Sequence, residues 1–253
     1  MDNFHNISED TAIYRIFKIN NLIDIFKTKK LTLVRPKLWD DPFENFMEPV
    51  IIIDAKNNKK VALSDAFNKI FGQCWTLEKE NDAMWRIYAS NKNGVKVKTT
   101  AGKLFDSIYD HSDRFARSSF FIGKVDYKTR EQIVAMIEEF APRLLLKLVH
   151  GNHDRIRPEQ MLFIKRQEFK HEEEVRILYS AIKAIDKFRD SIEFSIDPCD
   201  LFDEIVFDPR IMDESVVNGY IDKFKSFGFT KPIEQSDLYK IPKDIILHAP
   251  VTR

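Results

Sequence analysis

The chain has 253 residues, 40 of them basic and 40 acidic, so its formal charge is zero and no global field draws it onto nucleic acid or an anionic membrane. That length can bury a sizeable apolar core, and a single domain spanning 1–253 is expected. No apolar run approaches the roughly 18 residues of a membrane span, the start MDNFHNISED has no basic-then-apolar leader, and Cys74 and Cys199 lack metal-ligand spacing, so a soluble protein of the reducing cytoplasm is expected.

In chain order, TAIYRIFKI (11–19) alternates as a strand, and Asn20 or Asn21 is placed to cap a short helix with Leu22, Ile25 and Phe26 on one face. LTLVRP reads as a return strand stopped by Pro36, and the Asp-Pro pair of KLWDDPFENF as a tight turn. VALSDAFNKIF follows as a helix and GQCWTLE as a strand ending near Thr76. NDAMWRIYASNKNG is a helix capped by Asp82 and closed by Gly94. VKVKT is an alternating strand, the polar stretch 103–119 has no clear period, and FIGKVDYKT is a further strand. Residues 129–149 carry the strongest helical spacing, with Pro142 placed to kink or split them. Strands at EEVRILYS, SIEFSI and FDEIVFDP, a helix from Asp213 to Gly228 and a last strand near 237–241 complete the chain. Strands and helices mix without strict alternation, so the predicted class is α+β: a mixed, mainly antiparallel central sheet with flanking helices.

The seven glycines form neither G-x-G-x-x-G nor G-x-x-x-x-G-K-[ST], which removes the glycine-rich phosphate cradles. The 21 phenylalanines, spread over the whole chain, read as an aromatic core rather than a base-stacking platform.

Four stretches carry candidate chemistry. HGNHD (150–154) looks like the G-N-H-[DE] piece of metallophosphoesterases, but the upstream D-x-H and G-D-x-x-D of such a centre are missing. His150 and His153 would need a third ligand, so the stretch is read as a polar loop and no metal is assigned. WDDPFENF (39–46) reads as a turn packing Trp39 and Phe43 inward, with Asp41 or Glu44 aimed into a pocket as the functional alternative. Trp85 and Tyr88 stand three apart on a helix, placed either to pack or to stack on a planar ligand. In FKHEEEVRIL (169–178) a regular strand sets Glu172, Glu174 and Arg176 on one face and Val175 and Ile177 on the other. That makes Glu174 and Arg176 an expected ion pair. Two carboxylates at a strand mouth are also placed to bind a hydroxyl and take a proton.

Taken in order, the Tyr14 and Arg15 pair, LTLVRPKLWDDPFE, MWRIYASNKNGVKV, a VDY strand, FKHEEEVRIL with its F-x-x-E-x-E-x-R core, and DEIVFDP resemble the bacterial family called domain of unknown function 2971. The resemblance runs from about 12 to 241. A second likeness lies in the order of an arginine on the first strand, a hydroxyl residue ending a middle strand and E-x-E opening a late strand, which is similar to the Arg–Ser–Glu arrangement of ADP-ribosyltransferases. That resemblance implies NAD as substrate, held in a cleft without glycine-rich loops. Arg15 would contact phosphate or the nicotinamide-side ribose, with Tyr14 beside it. Thr76, standing where serine is more usual, would brace the site. Glu174 would bond the ribose and stabilise an oxocarbenium-like transition state, Glu172 would orient or deprotonate the acceptor, and Tyr88 or Trp85 would stack on nicotinamide.

The implied function is NAD-dependent ADP-ribosyl transfer, in a toxin or phage-defence effector, to protein, nucleic acid or water. Replacing Glu174 with glutamine is expected to abolish NAD turnover and leave the fold intact. The basic stretch IKRQEFK beside the two glutamates is placed to steer an anionic acceptor. Two alternatives stand beside this reading: a non-enzymatic defence or regulatory module whose carboxylates only pair with arginines, and a metal-dependent nuclease or phosphoesterase.

Overall fold

Alternating apolar residues give the chain its longest strands, and these join in one sheet. The computed structural model describes residues 3–39, 41, 44, 51–53, 58, 60–62, 64–150, 157–181 and 189–241. The strands are β1 (Phe4–His5), β2 (Ala12–Lys18), β3 (Lys30–Val34), β4 (Ile51–Ile53), β5 (Lys60–Ala62), β6 (Ile70–Thr76), β7 (Gly94–Thr100), β8 (Phe120–Lys124), β9 (Asp126–Lys128), β10 (Ile164–Arg166), β11 (Glu174–Ser180), β12 (Ser191–Ser195), β13 (Glu204–Phe207) and β14 (Ile233–Gln235). The α-helices are α1 (Ile19–Thr28), α2 (Ser64–Phe67), α3 (Asp82–Tyr88), α4 (Ala101–Ile108), α5 (Ala116–Ser119), α6 (Arg130–His150), α7 (Pro198–Leu201) and α8 (Glu214–Ser226). Ten strands make a sheet in the order β1-β8-β11-β6-β2-β7-β13-β14, with β3 joined to β6 and β12 to β3. Within it β1–β8 and β13–β14 run parallel, and the other pairs are antiparallel. The class is α+β, with a mixed, mainly antiparallel central sheet and flanking helices.

Strand alternation sorts the side chains into two layers. Val175 and Ile177 of β11, Phe71 and Trp75 of β6, and Ile13 and Phe17 of β2 enter the main core, where α1, α4, α7 and α8 bury their apolar faces. The phenylalanine excess is spent here: Phe26 packs against the rings of Phe202, Phe224, Phe227 and Phe229. On the opposite face Ile70, Phe121, Leu162, Phe163 and Leu178 pack with Trp39, and α6 brings Ile133, Phe140 and Leu144 to a neighbouring cluster.

The sheet divides at one place. β2 meets β6 through Tyr14 opposite Thr76 and then leads into α1. The returning β3 rejoins β6 at Val34 opposite Gly72. Between those two points the β6 backbone has no strand partner on that side among the described residues. Its orphaned groups must be met some other way: the Arg15 guanidinium donates to the Cys74 carbonyl, while across the gap the Thr32 carbonyl of β3 accepts from the Gln73 side-chain amide at 3.1 Å.

Gly72 marks the edge of the gap. A Cβ there would lie 2.7 Å from Leu178 Cδ2 and 2.9 Å from the Trp39 ring, well inside normal carbon contact. Gly72→Val is expected to displace Trp39 and cost about 1–3 kcal/mol, seen as a lower urea midpoint with altered tryptophan fluorescence. An unchanged midpoint and spectrum would show that the space is not needed.

Several boundaries correct the sequence reading. Helix α1 begins at Ile19 with Lys18 at its N-cap, not at Asn20 or Asn21. VALSDAFNKIF is divided, because Lys60–Ala62 pairs with β4 and leaves α2 a single turn. Asn81 caps α3, its side chain accepting from the Met84 amide at 2.8 Å, an N-cap bond that replaces the expected Asp82 cap. Gly94 opens β7 rather than closing α3, and glycine is required because a Cβ would lie 2.4 Å from Ala89 Cβ. The stretch 103–119 supplies most of α4 and all of α5, FIGKVDYKT splits into β8 and β9, and Pro142 lies inside α6 without dividing it. The last strand is Ile233–Gln235, held by parallel pairing to β13, so 237–241 is not a strand.

Candidate functional site

β11 opens on a left-handed residue. Glu173 has φ 39° at the end of the 3-10 segment Gln167–Glu172, and its carboxylate lies 2.9 Å from Lys124. The irregular backbone brings Glu172 and Glu174 onto one cation: Lys165 Nζ donates to Glu172 Oε2 at 2.6 Å and to Glu174 Oε2 at 3.1 Å. The same Nζ lies 3.1 Å from Glu44 Oε1. Arg176, 0% exposed, donates from Nε to Glu174 Oε1 at 3.0 Å and from Nη2 to Glu174 Oε2 at 2.9 Å. It also donates to Glu44 Oε1 at 2.5 Å and to the Leu162 carbonyl at 2.7 Å. Aromatic faces cover both cations: Trp39 lies 4.4 Å from the Arg176 guanidinium and Phe169 4.8 Å from Lys165 Nζ.

Thr76 fixes the corner of this network. Its hydroxyl donates to the Glu172 carbonyl at 2.6 Å and accepts from the Glu78 amide at 2.9 Å. Both hydroxyl functions are used within the protein, which makes Thr76 a brace. Tyr127 accepts from the Glu174 amide at 2.8 Å, tying β9 to the same strand mouth.

Burial alone would raise the pKa of Glu174, but the charge and hydrogen bonds of Arg176, then Lys165, hold it at about 2 against an ordinary 4.5. Burial opposes the charge on Lys165 too, and Glu174, Glu44 and Glu172 override it, so the ammonium is held above its usual range. Glu44 is pushed up by burial, with Arg176 pulling the other way. Burial and the adjacent Glu174 push the Cys74 thiol well up. Because the folded pKa of Glu174 lies below its unfolded value, its stabilising share is complete above about pH 4.5 and is lost as pH falls toward 2. The urea midpoint is expected to drop through that window; a flat midpoint would show that Glu174 carries no net stabilisation.

These groups floor a cavity of about 610 Å³ in the divided sheet, within the roughly 300–1,000 Å³ usual for small-molecule sites. Tyr14, Arg15, Thr76, Tyr88, Glu172 and Glu174 all line it, and Trp85 does not. Trp85 is a core residue, 1% exposed, whose indole donates to Glu80 Oε1 at 2.8 Å. Three helical steps turn two side chains about 60° apart, which here separates a core ring from the cavity ring of Tyr88. Burial and the nearby Glu172 and Glu174 keep the Tyr88 phenol protonated well past its ordinary range.

Among the described residues, several polar atoms of the wall are left for a ligand. Arg15 lines the cavity and makes no ion pair among the described residues; its Nε has no hydrogen-bond partner, and burial disfavours its charge. Among the described residues, every side-chain contact of Glu172 uses Oε2 and every side-chain contact of Glu44 uses Oε1. Glu172 Oε1 and Glu44 Oε2 therefore belong to cavity-lining carboxylates and accept from no described residue. By contrast both oxygens of Glu174 are occupied, so Glu174→Gln would also remove the main charge partner of a buried arginine.

Sequence reasoning missed Lys165 and the wall residues Gln73, Phe169 and His171. IKRQEFK, read as a steering surface, instead buries Lys165 at 8% exposure and pairs Arg166 with Asp41 at 2.9 Å. The one available signal was a lysine seven residues before Glu172. Asn152, His153 and Asp154 of HGNHD and the side chain of His150 lie outside the described residues. Among the described residues no group of three or more His, Cys, Asp or Glu could hold a metal ion, and no helix is long and apolar enough to cross a membrane.

The family described as "Protein of unknown function (DUF2971)" matches residues 84–177, which include Tyr88, Lys165, Glu172, Glu174 and Arg176. No curated protein matches the chain. Solved structures of DarT from Thermus sp. 2.9 are similar at low identity. The complex with NAD+ matches at 13% identity and TM-score 0.40, over 91% of this chain and 98% of that one. The complex with ADP-ribosylated ssDNA matches at 12% and 0.40, over 93% and 98%. The complex with carba-NAD+ matches at 12% and 0.38, over 91% and 97%.

Proposed function

We propose that this protein is an ADP-ribosyltransferase-like enzyme that takes NAD as its substrate in the 610 Å³ cavity. One observation carries the reading: Arg15, Thr76, Glu172 and Glu174, drawn from three distant segments, wall a single cavity large enough for small-molecule recognition and free of any glycine-rich loop. Arg15 supplies the positive charge for a phosphate or the ribose beside it. Tyr88 and Tyr14 wall the ring-binding side. Thr76 positions Glu172 and touches no reacting atom.

The chemistry follows from the acidic floor. The glycosidic bond between C1′ and the pyridinium nitrogen breaks, and its electron pair leaves with neutral nicotinamide. Positive charge develops at C1′, where preoriented carboxylates lower the barrier. The nucleophilic atom of the acceptor bonds to C1′, and its proton passes to Glu172, whose Oε1 is unoccupied. Glu174, held ionised by Arg176 and Lys165, contributes fixed negative charge and orients its neighbours. The acceptor we assign is a protein or nucleic-acid nucleophile, with water as the default. The setting, a toxin or phage-defence effector, rests on the family resemblance.

Incubation of the purified protein with NAD tests this reading. Release of nicotinamide, with ADP-ribose free or on added DNA or protein, is the expected result. Intact NAD after prolonged incubation, with and without acceptors, would refute it.

A further inference from the structure

The turn after Trp39 contributes a carboxylate with no assigned task. Glu44 is 8% exposed and Glu172 is 6% exposed, and they come from segments more than 120 residues apart in sequence. Both meet Lys165, through Glu44 Oε1 at 3.1 Å and Glu172 Oε2 at 2.6 Å. Each leaves its second oxygen without a partner while lining the same cavity. Lys165 and Arg176, the two cations bonded to them, are already shared with Glu174. Three carboxylates thus divide two cations, three against two, and Arg15 is bonded to none of them. An ionised oxygen is an acceptor only, and one that lines a cavity binds best what brings it a donor or a positive charge. A ligand reaching this floor must bring positive charge or donors. The Tyr88 and Trp39 rings in the wall favour a flat cation over a flat neutral ring.

We propose that Glu44 is a specificity residue: with Glu172 it forms a two-carboxylate seat that selects a cationic heteroaromatic ring over its neutral counterpart. The identity of that ring as an oxidised nicotinamide rests on the function proposed above, whereas the preference for positive charge rests on the geometry alone. The seat makes the cavity discriminate NAD+ from NADH at binding, before any bond is broken. Glu44 takes this part because Oε1 is anchored by Arg176 at 2.5 Å, which fixes the carboxylate of this cavity-lining residue and leaves Oε2 for a ligand.

Calorimetric titration of the full-length protein with 1-methylnicotinamide and with uncharged nicotinamide reads the charge preference without requiring turnover, and NAD+ against NADH reads it on the nucleotide. The cation is expected to bind about tenfold tighter than the neutral ring. Glu44→Gln, which keeps the acceptor for Arg176 and Lys165, is expected to bring the two affinities within about threefold, and Glu44→Asp to restore most of the difference. Equal affinities in the wild type, binding of neither ring, or a preference unchanged in Glu44→Gln with a native circular dichroism spectrum would each overturn the proposal. Charge selectivity that depends on Glu44 in a protein releasing no nicotinamide from NAD would leave it standing and remove the transferase reading instead.

Discussion

Replacing Arg176 with methionine is expected to destabilise the protein by about 3–5 kcal/mol, the usual cost of removing one partner from a buried ion pair. The size follows from what the guanidinium holds. Glu174 Oε1 loses its donor and Oε2 keeps only Lys165, Glu44 loses its 2.5 Å partner, and the Leu162 carbonyl loses the Arg176 bond, all in a site where Arg176 is 0% exposed. Methionine fills much of the volume and still packs on Trp39, so the loss is electrostatic rather than a cavity effect. Adding Glu174→Met should recover part of the stability, because the stranded charge is removed with its partner. Urea denaturation of the two single variants and the double reads the coupling. A single-variant loss under about 1 kcal/mol would show that the network is solvated and the floor is not the rigid element described.

Glu172→Gln is expected to lower nicotinamide release about 10²–10³-fold, the range for losing one preorganised electrostatic group, while stability changes by about 1 kcal/mol or less. The two effects separate because glutamine still accepts from Lys165, and Lys165 keeps Glu44 and Glu174 as charge partners. The Thr76 bond goes to the Glu172 backbone carbonyl, so the strand mouth keeps its shape. Glu174→Gln does not separate them, since it costs Arg176 its bidentate partner. Steady-state rates and denaturation midpoints of both variants distinguish the carboxylate that meets substrate from the one that holds the floor. A Glu172→Gln enzyme with wild-type turnover would remove Glu172 from the chemistry.

Much of the sheet was legible because its strands alternate cleanly. AIYRIFK, FGQCWT and EVRILYS each put large apolar residues on one face, and a two-residue repeat is a local property. The Glu174–Arg176 pair was legible for the same reason: two residues on one strand share a face. The partners of that pair were not. Lys165 reaches the carboxylates through a 3-10 segment and a left-handed Glu173, which shift residues out of strand register. Glu44 comes from a segment more than 120 residues before Lys165, and nothing local in the sequence pairs the two. Trp85 and Tyr88 were equivalent in the sequence, and only the side of α3 that faces the sheet chose between them. The gap between β2 and β6, on which the cavity depends, is a long-range feature: it exists because α1 draws the chain off β6 after one pairing and β3 returns at the other end.

A crystal structure of the protein soaked with a hydrolysis-resistant NAD analogue tests the central claim most directly. The nicotinamide and its ribose are expected in the divided sheet, with the ring beside Tyr88, a carboxylate oxygen of Glu172 within hydrogen-bond distance of the ribose or C1′, and the Arg15 guanidinium on a phosphate or that ribose. Density for the analogue elsewhere on the surface, or a cavity unchanged at saturating analogue, would contradict it.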